Sequence, residues 1–426
     1  MPEPKAKFLH VADVHLGFDR YESPERTKDF FYSFQDALLT YGVEKEVDFI
    51  LIAGDLFEKQ NILPNILNQA QLVLNQVKEA GIPVLAIEGN HDNRPYGVNT
   101  SWLRYLADYG YLKLLEPQAG ESGEFDFIPW SESAKKGAYI DLPCGVRVIG
   151  SRWYGSAAPQ AIASLADSIR ELPSGPETTV MMFHHGLEGQ IARYAGALRY
   201  DELLPLKQAG VDYLGLGHIH KNYEVEGWIF NPGSLEANSM AEVAYDRGAY
   251  YVEISKKGEI EAELIKDYRQ RASLRLRCEV KGKDKAEDVA AKILACVEDA
   301  DIDPDLGIML EIKVIGKLGF ERYEIDARSL RQQIQDMTGA LVVLLKIEAT
   351  SLEYDIAPQA SETTDRNDIE KQVFQDLLSQ NAHYRRRSED LSKVLLGVKE
   401  MIADGREDEQ LYEFLQQGLI DEKKAK

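Results

Sequence analysis

A chain of 426 residues and 48.0 kDa is too long for one ordinary core, which predicts two or three domains. Its formal net charge of -22 argues against holding nucleic acid by bulk charge, because such binding neutralises phosphates with Lys and Arg; metal ions or a partner would have to supply the positive field. Three widely spaced cysteines, Cys144, Cys278 and Cys296, indicate neither a disulfide framework nor a thiolate zinc ribbon. No run approaches about 18 apolar residues, and the start enters a strand-like segment at once, so a soluble, unexported protein of the cytosol is expected, with no membrane partner.

In chain order, KFLHVAD (7–13), VDFILIAGD (47–55) and IPVLAIEGN (82–90) are short β-rich runs that each end in a polar residue. The segments between them carry apolar residues at helical spacing, for instance Ile66, Ala70, Val73 and Val77, so the order begins βαβαβ. VRVIGSRWY, TTVMMFHHG, VDYLGLGHIH, GWIFNPGS and GAYYVEI then predict a second set of strands. Two sheets packed face to face with helices outside satisfy this order. From about Arg271 a compact β-α-β-α-β unit is expected, EYDIAPQASETTDRND reads as a linker, and the remainder carries amphipathic helical patterns too poor in apolar surface to fold alone. The predicted division is 1–268, a smaller α/β domain 269–354, a linker 355–366 and a helical tail 367–426.

Five strand-end stretches hold residues able to bind metal. They are Asp13 and His15 in VADVHLG, Asp55 in AGDLF, Asn90, His91 and Asp92 in EGNHDN, His184 and His185 in MFHHG, and His218 with His220 in LGHIH. Singly each is weak, because strand-end aspartates are usually turn formers or helix caps. Together they hold six of the eight histidines, leaving His10 and His383 without a role. Carboxylates, imidazoles and an amide oxygen gathered at one sheet edge suit two ions of the Mn²⁺, Fe²⁺ or Zn²⁺ type. Asp55 has the two oxygens needed to bridge such ions, and a pair of ions activates water and neutralises a phosphate under in-line attack. In a strand, His218 and His220 would point the same way, because side chains alternate with period two.

The set DVH, GDLF, GNHD, FHHG and GHIH, in this order, resembles the calcineurin-like metallophosphoesterase family. Within it, DVHLG, VDFILIAGDLFE and PGSLE resemble the SbcD-type DNA nucleases, whose archaeal and eukaryotic counterpart is the meiotic recombination eleven type, over roughly residues 7–270. The resemblance implies a four-layer α-β-β-α metallophosphoesterase sandwich with a smaller α/β capping domain and a C-terminal helical tail. It implies one ion on Asp13, His15 and His220, another on Asn90, His184 and His218, and Asp55 as the bridge. His91 would act on the scissile phosphate or leaving oxygen with Asp92 fixing its ring, and His185 would stand behind the ligand residues or face the substrate. It further implies Mn²⁺, DNA as substrate, and 3'-5' exonuclease action on double strands with endonuclease action on single strands and hairpins. An SbcC-type coiled-coil ATPase would dock on the C-terminal helices, with Leu391, Val394, Leu395 and Val398 as an exposed stripe. A homodimer would form through segments 64–79 and 99–113, in the bacterial cytosol or nucleoid.

Rival readings attach to several of these residues. Trp102, Leu103, Leu106 and Tyr109 equally form one buried helix face, and NPGS (231–234) is equally a plain turn. Arg20, Lys59 and Arg94 stand beyond motif residues, where they would meet DNA phosphates or remain solvated surface charges. The same metal site would also serve small phosphodiesters or phosphoproteins, and the fold could persist as a scaffold without catalysis.

Overall fold

The computed structural model describes residues 5–21, 23–95, 97–120, 125–191, 197–350, 366–379, 384–403, 406 and 408–419. Residues 355–365 of the expected linker and His383 lie outside them, and Arg366, placed at the linker's end, opens a helix. The chain divides into two compact units, one formed by Met1–Leu274 with Asp305–Leu310 and Gly339–Val342, the other by Arg275–Pro304, Glu311–Thr338 and Val343–Lys426.

In the first unit β1 (Ala6–Val11), α1 (Pro24–Asp36), β2 (Phe49–Ile52), α2 (Pro64–Glu79), β3 (Val84–Ala86), α3 (Trp102–Asp108) and β4 (Lys113–Leu114) alternate. A short pair, β5 (Gln118–Ala119) and β6 (Phe125–Asp126), follows. Then come β7 (Tyr139–Asp141), β8 (Val146–Ser151), α4 (Ala158–Arg170), β9 (Thr178–Phe183), α5 (Tyr200–Gln208), β10 (Tyr213–Leu216), β11 (Tyr223–Val225), β12 (Ile229–Asn231), β13 (Ala249–Ile254) and β14 (Ile260–Ile265). One six-stranded sheet runs β14-β13-β1-β2-β3-β4, with β1 to β4 parallel; the other runs β11-β12-β10-β9-β8-β7, with β12, β10, β9 and β8 parallel.

Alternation along the strands explains the layers. On β1, Phe8 faces the second sheet, stacking on Phe49 with ring centroids 4.7 Å apart and meeting Tyr213 edge-on at 5.2 Å. Its neighbour Leu9 faces the other way, into the cluster built with Phe34, Leu38 and Val73 of the flanking helices. The outer face of the second sheet is covered likewise, by Ile162 and Leu165 of α4 and Leu203 and Leu206 of α5. The result is the expected α-β-β-α sandwich. Burying each Phe or Leu of this kind contributes about 1.5–3 kcal/mol.

His10 lies in the layer between the sheets, fully buried. Its Nε2–H donates to the Leu216 carbonyl at 3.1 Å, and the Tyr213 hydroxyl donates to its Nδ1 at 2.8 Å, so it is a satisfied core histidine. On α3, Leu103 and Leu106 are buried as a helix face should be, but Tyr109 is 64% exposed. The helix stops at Asp108 and Tyr109 is its C-cap, so the three-residue step from Leu106 does not place it on that buried face.

The second unit contains β15 (Ser273–Val280), α6 (Ala286–Glu298), β16 (Met309–Gly316), α7 (Ala327–Thr338) and β17 (Val342–Ile347), with sheet order β15-β16-β17. It continues into α8 (Arg366–Ser379), α9 (Ser388–Ala403) and α10 (Asp408–Leu419). The stripe Leu391, Val394, Leu395 and Val398 is not the exposed surface expected. Leu391 is buried, Gly397 of α9 faces the Phe414 ring, and Gly418 of α10 faces Val394, because α9 and α10 pack on each other. Among the described residues of the tail the exposed large apolar side chains are instead Val373, Leu377, Tyr384, Ile402 and Tyr412. Among the described residues no helix is long and apolar enough to cross a membrane.

Candidate metal centre

Parallel strands bring their carboxyl ends to one edge, and in open α/β sheets that edge is where ligands bind. Asp13 and His15 follow β1, Asp55 follows β2, Asn90 follows β3, His184 follows β9, and His218 and His220 follow β10. The first loops run alongside each other, with the N–H groups of Asp13, His15 and Leu16 donating to the carbonyls of Gly54, Asp55 and Leu56 at 3.2, 3.0 and 2.9 Å. Asp13, His15 and Asp55 are held at φ of 52°, 52° and 53°, and His218 at 80°, in the left-handed region that non-glycine residues rarely occupy. Such strain persists only where the surroundings over-determine it.

The side chains converge as three overlapping groups whose donor atoms lie within 4.8 Å of one another: Asp13 with His15 and His220, His15 with Asp55 and His91, and Asp55 with His184 and His218. Asp55 belongs to two of them. The expected period-two alternation does not produce this. β10 ends at Leu216, and the left-handed turn at His218 sends the two imidazoles into different groups, with buried Ile219 between them. Glycines make the room. A Cβ on Gly89 would lie 2.1 Å from Asp55 Oδ1, and one on Gly217 would lie 2.5 Å from the Ala53 carbonyl oxygen and 2.8 Å from His184 Nδ1.

The donor set fits cations. The Nδ1–H of His184 donates to the Ala53 carbonyl at 2.7 Å, which leaves Nε2 facing two acceptors, Asn90 Oδ1 and Asp55 Oδ2, each at 3.2 Å. The Nδ1–H of His220 donates to Glu242 at 3.3 Å, and its Nε2 meets His15 Nε2 at 3.1 Å. Lone pairs that face one another at such distances draw in positive charge, which a bound cation or a proton would supply. Protons are drawn in for the same reason. Burial pushes His184 down, but the Asp55 carboxylate and its hydrogen bond outweigh this and hold the imidazole at about 9. His220 is likewise raised to about 9, burial being outweighed by its bond to Glu242 and the charge of Asp13. Burial and the neighbouring His184 push His218 down to about 3.

His91 is 38% exposed at the mouth of the site. Its Nδ1–H donates to the Glu58 carbonyl at 2.9 Å, which leaves Nε2 available, and its backbone N–H donates to Asp55 Oδ1 at 2.8 Å. Asp92 does not orient this ring. Its carboxylate accepts from the N–H groups of Gly89 and Phe57 at 2.9 and 3.2 Å, tying the third motif loop to the second. Burial and the Asp55 charge push it up to about 8. Of the histidine pair, His184 enters the cluster, whereas His185 is buried between Phe183 and Trp153, with ring centroids at 5.0 and 6.4 Å, and its Nε2 accepts from the Tyr154 N–H. Arg20 is exposed, Lys59 pairs with Asp19 at 2.9 Å, and Arg94 is occupied by Glu116 and Glu88.

Sequence reasoning passed over three supporting residues. Glu58 Oε2 lies 2.8 Å from His15 Nδ1 while its carbonyl holds His91. Glu242 positions His220, and Asn231 of the NPGS stretch donates its amide to the carbonyls of Ile219 and Lys221 at 2.7 and 2.9 Å, bracing the histidine loop. Glu58 was visible as the last letter of GDLFE; nothing marks Glu242, which reaches the site from a loop 22 residues past its partner.

A sandwich of two sheets with clustered imidazoles, carboxylates and an amide at the strand ends defines a metal-dependent phosphoesterase. The sequence pattern of the Calcineurin-like phosphoesterase family matches residues 6–222, and the chain belongs to that family. It is similar to the DNA double-strand break repair protein Mre11 of Archaeoglobus fulgidus, at 31% identity over 245 residues, 56% of this chain and 52% of that protein. The proteins of the same name from Saccharolobus solfataricus and Aeropyrum pernix are 27% and 30% identical, covering 59% and 58% of this chain and 61% and 58% of theirs. The chain thus spans about half the length of the curated relatives it matches.

Proposed function

We propose that the chain is a DNA nuclease acting at double-strand ends, with two divalent ions, Mn²⁺ in our reading, held by Asp13, His15 and His220 on one side, Asn90, His184 and His218 on the other, and Asp55 between. The observation that carries this is the crowding of imidazoles, carboxylate and amide at 3.1–3.2 Å around Asp55 and His15, an arrangement that draws in positive charge. The ions when bound supply Lewis acidity toward water and the phosphate. The chain's own part is to orient them through Glu58, Glu242 and the Ala53 carbonyl, and to present His91 Nε2 to the phosphate or leaving oxygen.

Similarity to relatives named DNA double-strand break repair proteins supports DNA as substrate; 3'-5' exonuclease action, single-strand or hairpin endonuclease action and a place in the cytosol or nucleoid are our reading beyond that. In this reading residues 269–354 cap the nuclease domain, and the tail docks on an SbcC-type ATPase through the exposed Val373, Leu377, Ile402 and Tyr412. A homodimer would use α2 and α3, where Leu63, Leu72 and Tyr109 are exposed beside them.

The rival substrates are small phosphodiesters or phosphoproteins. A non-catalytic scaffold is disfavoured because all the ligand residues and His91 are present and converge. The test is Mn²⁺-dependent cleavage of end-labelled duplex DNA, with His91→Ala and bis(p-nitrophenyl) phosphate alongside. Duplex degradation lost in the variant supports the reading. Ester hydrolysis without DNA cleavage, even with the ATPase added, would overturn it in favour of a small substrate.

A further inference from the structure

Beside the metal centre the first unit holds a cavity of about 580 Å³ whose lining includes four cations, Arg94, Arg104, Lys136 and Arg152, against two carboxylates, Asp108 and Glu116. Three of the guanidiniums converge on Glu116: Arg94 directly, Arg152 at 3.7 Å and Arg104 at 3.8 Å. Arg94 also reaches Glu88 at 3.5 Å and Arg104 reaches Asp108 at 4.0 Å, so with Lys136 four cations face three carboxylates, an excess of positive charge that an added anion would balance. On a chain of net charge -22 this is not the consequence of a generally basic surface.

Two loops attach the cavity to the site. Arg94 stands three residues after His91. Arg152 precedes Trp153, whose N–H donates to the Glu88 carbonyl at 3.2 Å and whose ring stacks on His185, the neighbour of His184. Phe125 lines the cavity and meets the Tyr154 ring edge-on at 5.6 Å, which adds an aromatic wall to the charged floor. Arg is the residue suited to this task, because its planar fork matches two phosphate oxygens.

Building on the nuclease reading above, we infer that this cavity binds the phosphodiester backbone of the substrate strand next to the scissile phosphate, with Glu116 holding the guanidiniums ready. It is the feature that would set a polynucleotide apart from a small ester. Phosphate contacts of this kind position the strand and carry no sequence preference.

The test uses the full chain with Arg152→Glu and Lys136→Glu together, both exposed positions outside the metal groups. Oligonucleotide affinity is measured without metal across about 50–200 mM salt, and cleavage of DNA and of bis(p-nitrophenyl) phosphate with Mn²⁺. Affinity should fall at least about tenfold, and the slope of log affinity against log salt should become shallower by about 2. DNA cleavage should fall at least about tenfold more than ester hydrolysis, and Arg152→Lys should keep the wild-type slope. Unchanged affinity and slope would overturn the inference, as would an equal loss on both substrates, which marks damage to the metal centre. Inorganic phosphate that displaces the oligonucleotide at micromolar concentration would reassign the cavity to a free phosphate. Wild-type chain that hydrolyses the ester but neither binds nor cuts DNA would defeat the nuclease reading itself, a failure seen before any variant is made.

Discussion

Replacing Gly89 by alanine should disable the centre without unfolding the sandwich. The added methyl would stand 2.1 Å from Asp55 Oδ1, 2.7 Å from its Cγ and 2.6 Å from its backbone nitrogen. A side-chain rotation relieves the first two contacts but not the third, so the Asp55 loop has to shift by about 1 Å in an interior that does not deform freely. Asp55 is common to two of the metal groups, so both would be distorted. A displacement of that size costs on the order of 100-fold in rate, and overpacking about 1–3 kcal/mol in stability. The assay is Mn²⁺-supported hydrolysis of bis(p-nitrophenyl) phosphate with metal content per chain, and denaturant unfolding alongside. Gly282→Ala, whose nearest neighbour is Lys317 Cβ at an ordinary 3.5 Å, serves as the control and should behave as wild type. If Gly89→Ala kept kcat within about threefold and a full complement of metal, the claim that Asp55 organises the site would be wrong.

Glu242→Ala should weaken metal binding by about 10–100-fold, by freeing the His220 ring, with Glu242→Gln intermediate; calorimetric titration with Mn²⁺ decides, and equal affinities would remove Glu242 from the site. Acid should destabilise the fold through His10, which burial pushes from its ordinary 6.5 down to about 3. Between those pH values the unfolded chain binds a proton that the folded chain refuses, so stability is fully present above 6.5 and falls by up to about 5 kcal/mol as pH drops toward 3. Urea unfolding from pH 7 to 4 should therefore show a shallower acid dependence in His10→Gln, and an unaltered slope would assign the acid limb to other groups. Hydrogen exchange should find the amides of Asp13, His15 and His218 protected before metal is added, because each already donates to a carbonyl or carboxylate; protection appearing only with Mn²⁺ would mean that the ions build the site.

The convergence of the cluster was legible because its members stand after apolar runs, and a parallel strand brings its carboxyl end to the edge where sites gather. Asp13 after LHVA and Asp55 after ILIAG were weak signals singly, and it was the joint pattern of the five stretches that pointed to one place. Residues that act through the path of a loop were not legible. Glu242 has no periodic context, and Asn231 ends a strand whose pattern does not say what its amide will meet; their partners, His220 and the carbonyls of Ile219 and Lys221, are met only once the chain has turned back. His218 and His220 reach the cluster for a reason other than the alternation expected of a strand, since a left-handed residue rather than strand pleating aims them. The stripe on α9 failed for a related reason: periodicity reveals an apolar face but not whether α10 will cover it.

The four left-handed residues in the metal loops connect the fold to the chemistry. Each costs about 1 kcal/mol or more in backbone strain, and none is a glycine that would avoid it. A glycine at 13, 15, 55 or 218 would relax the turn but carry no ligand, so ligand and turn geometry are required of the same residue. What offsets the strain lies in the strands whose ends are buried and in the backbone bonds by which Asp13, His15 and Leu16 tie their loop to its neighbour. The sandwich therefore sets the ligand positions before any ion arrives, and the crowded acceptors are the part of that arrangement left uncompensated. A cation then binds without ordering the chain, and the electrostatic strain it relieves is a source of affinity that the sequence of any one motif does not contain.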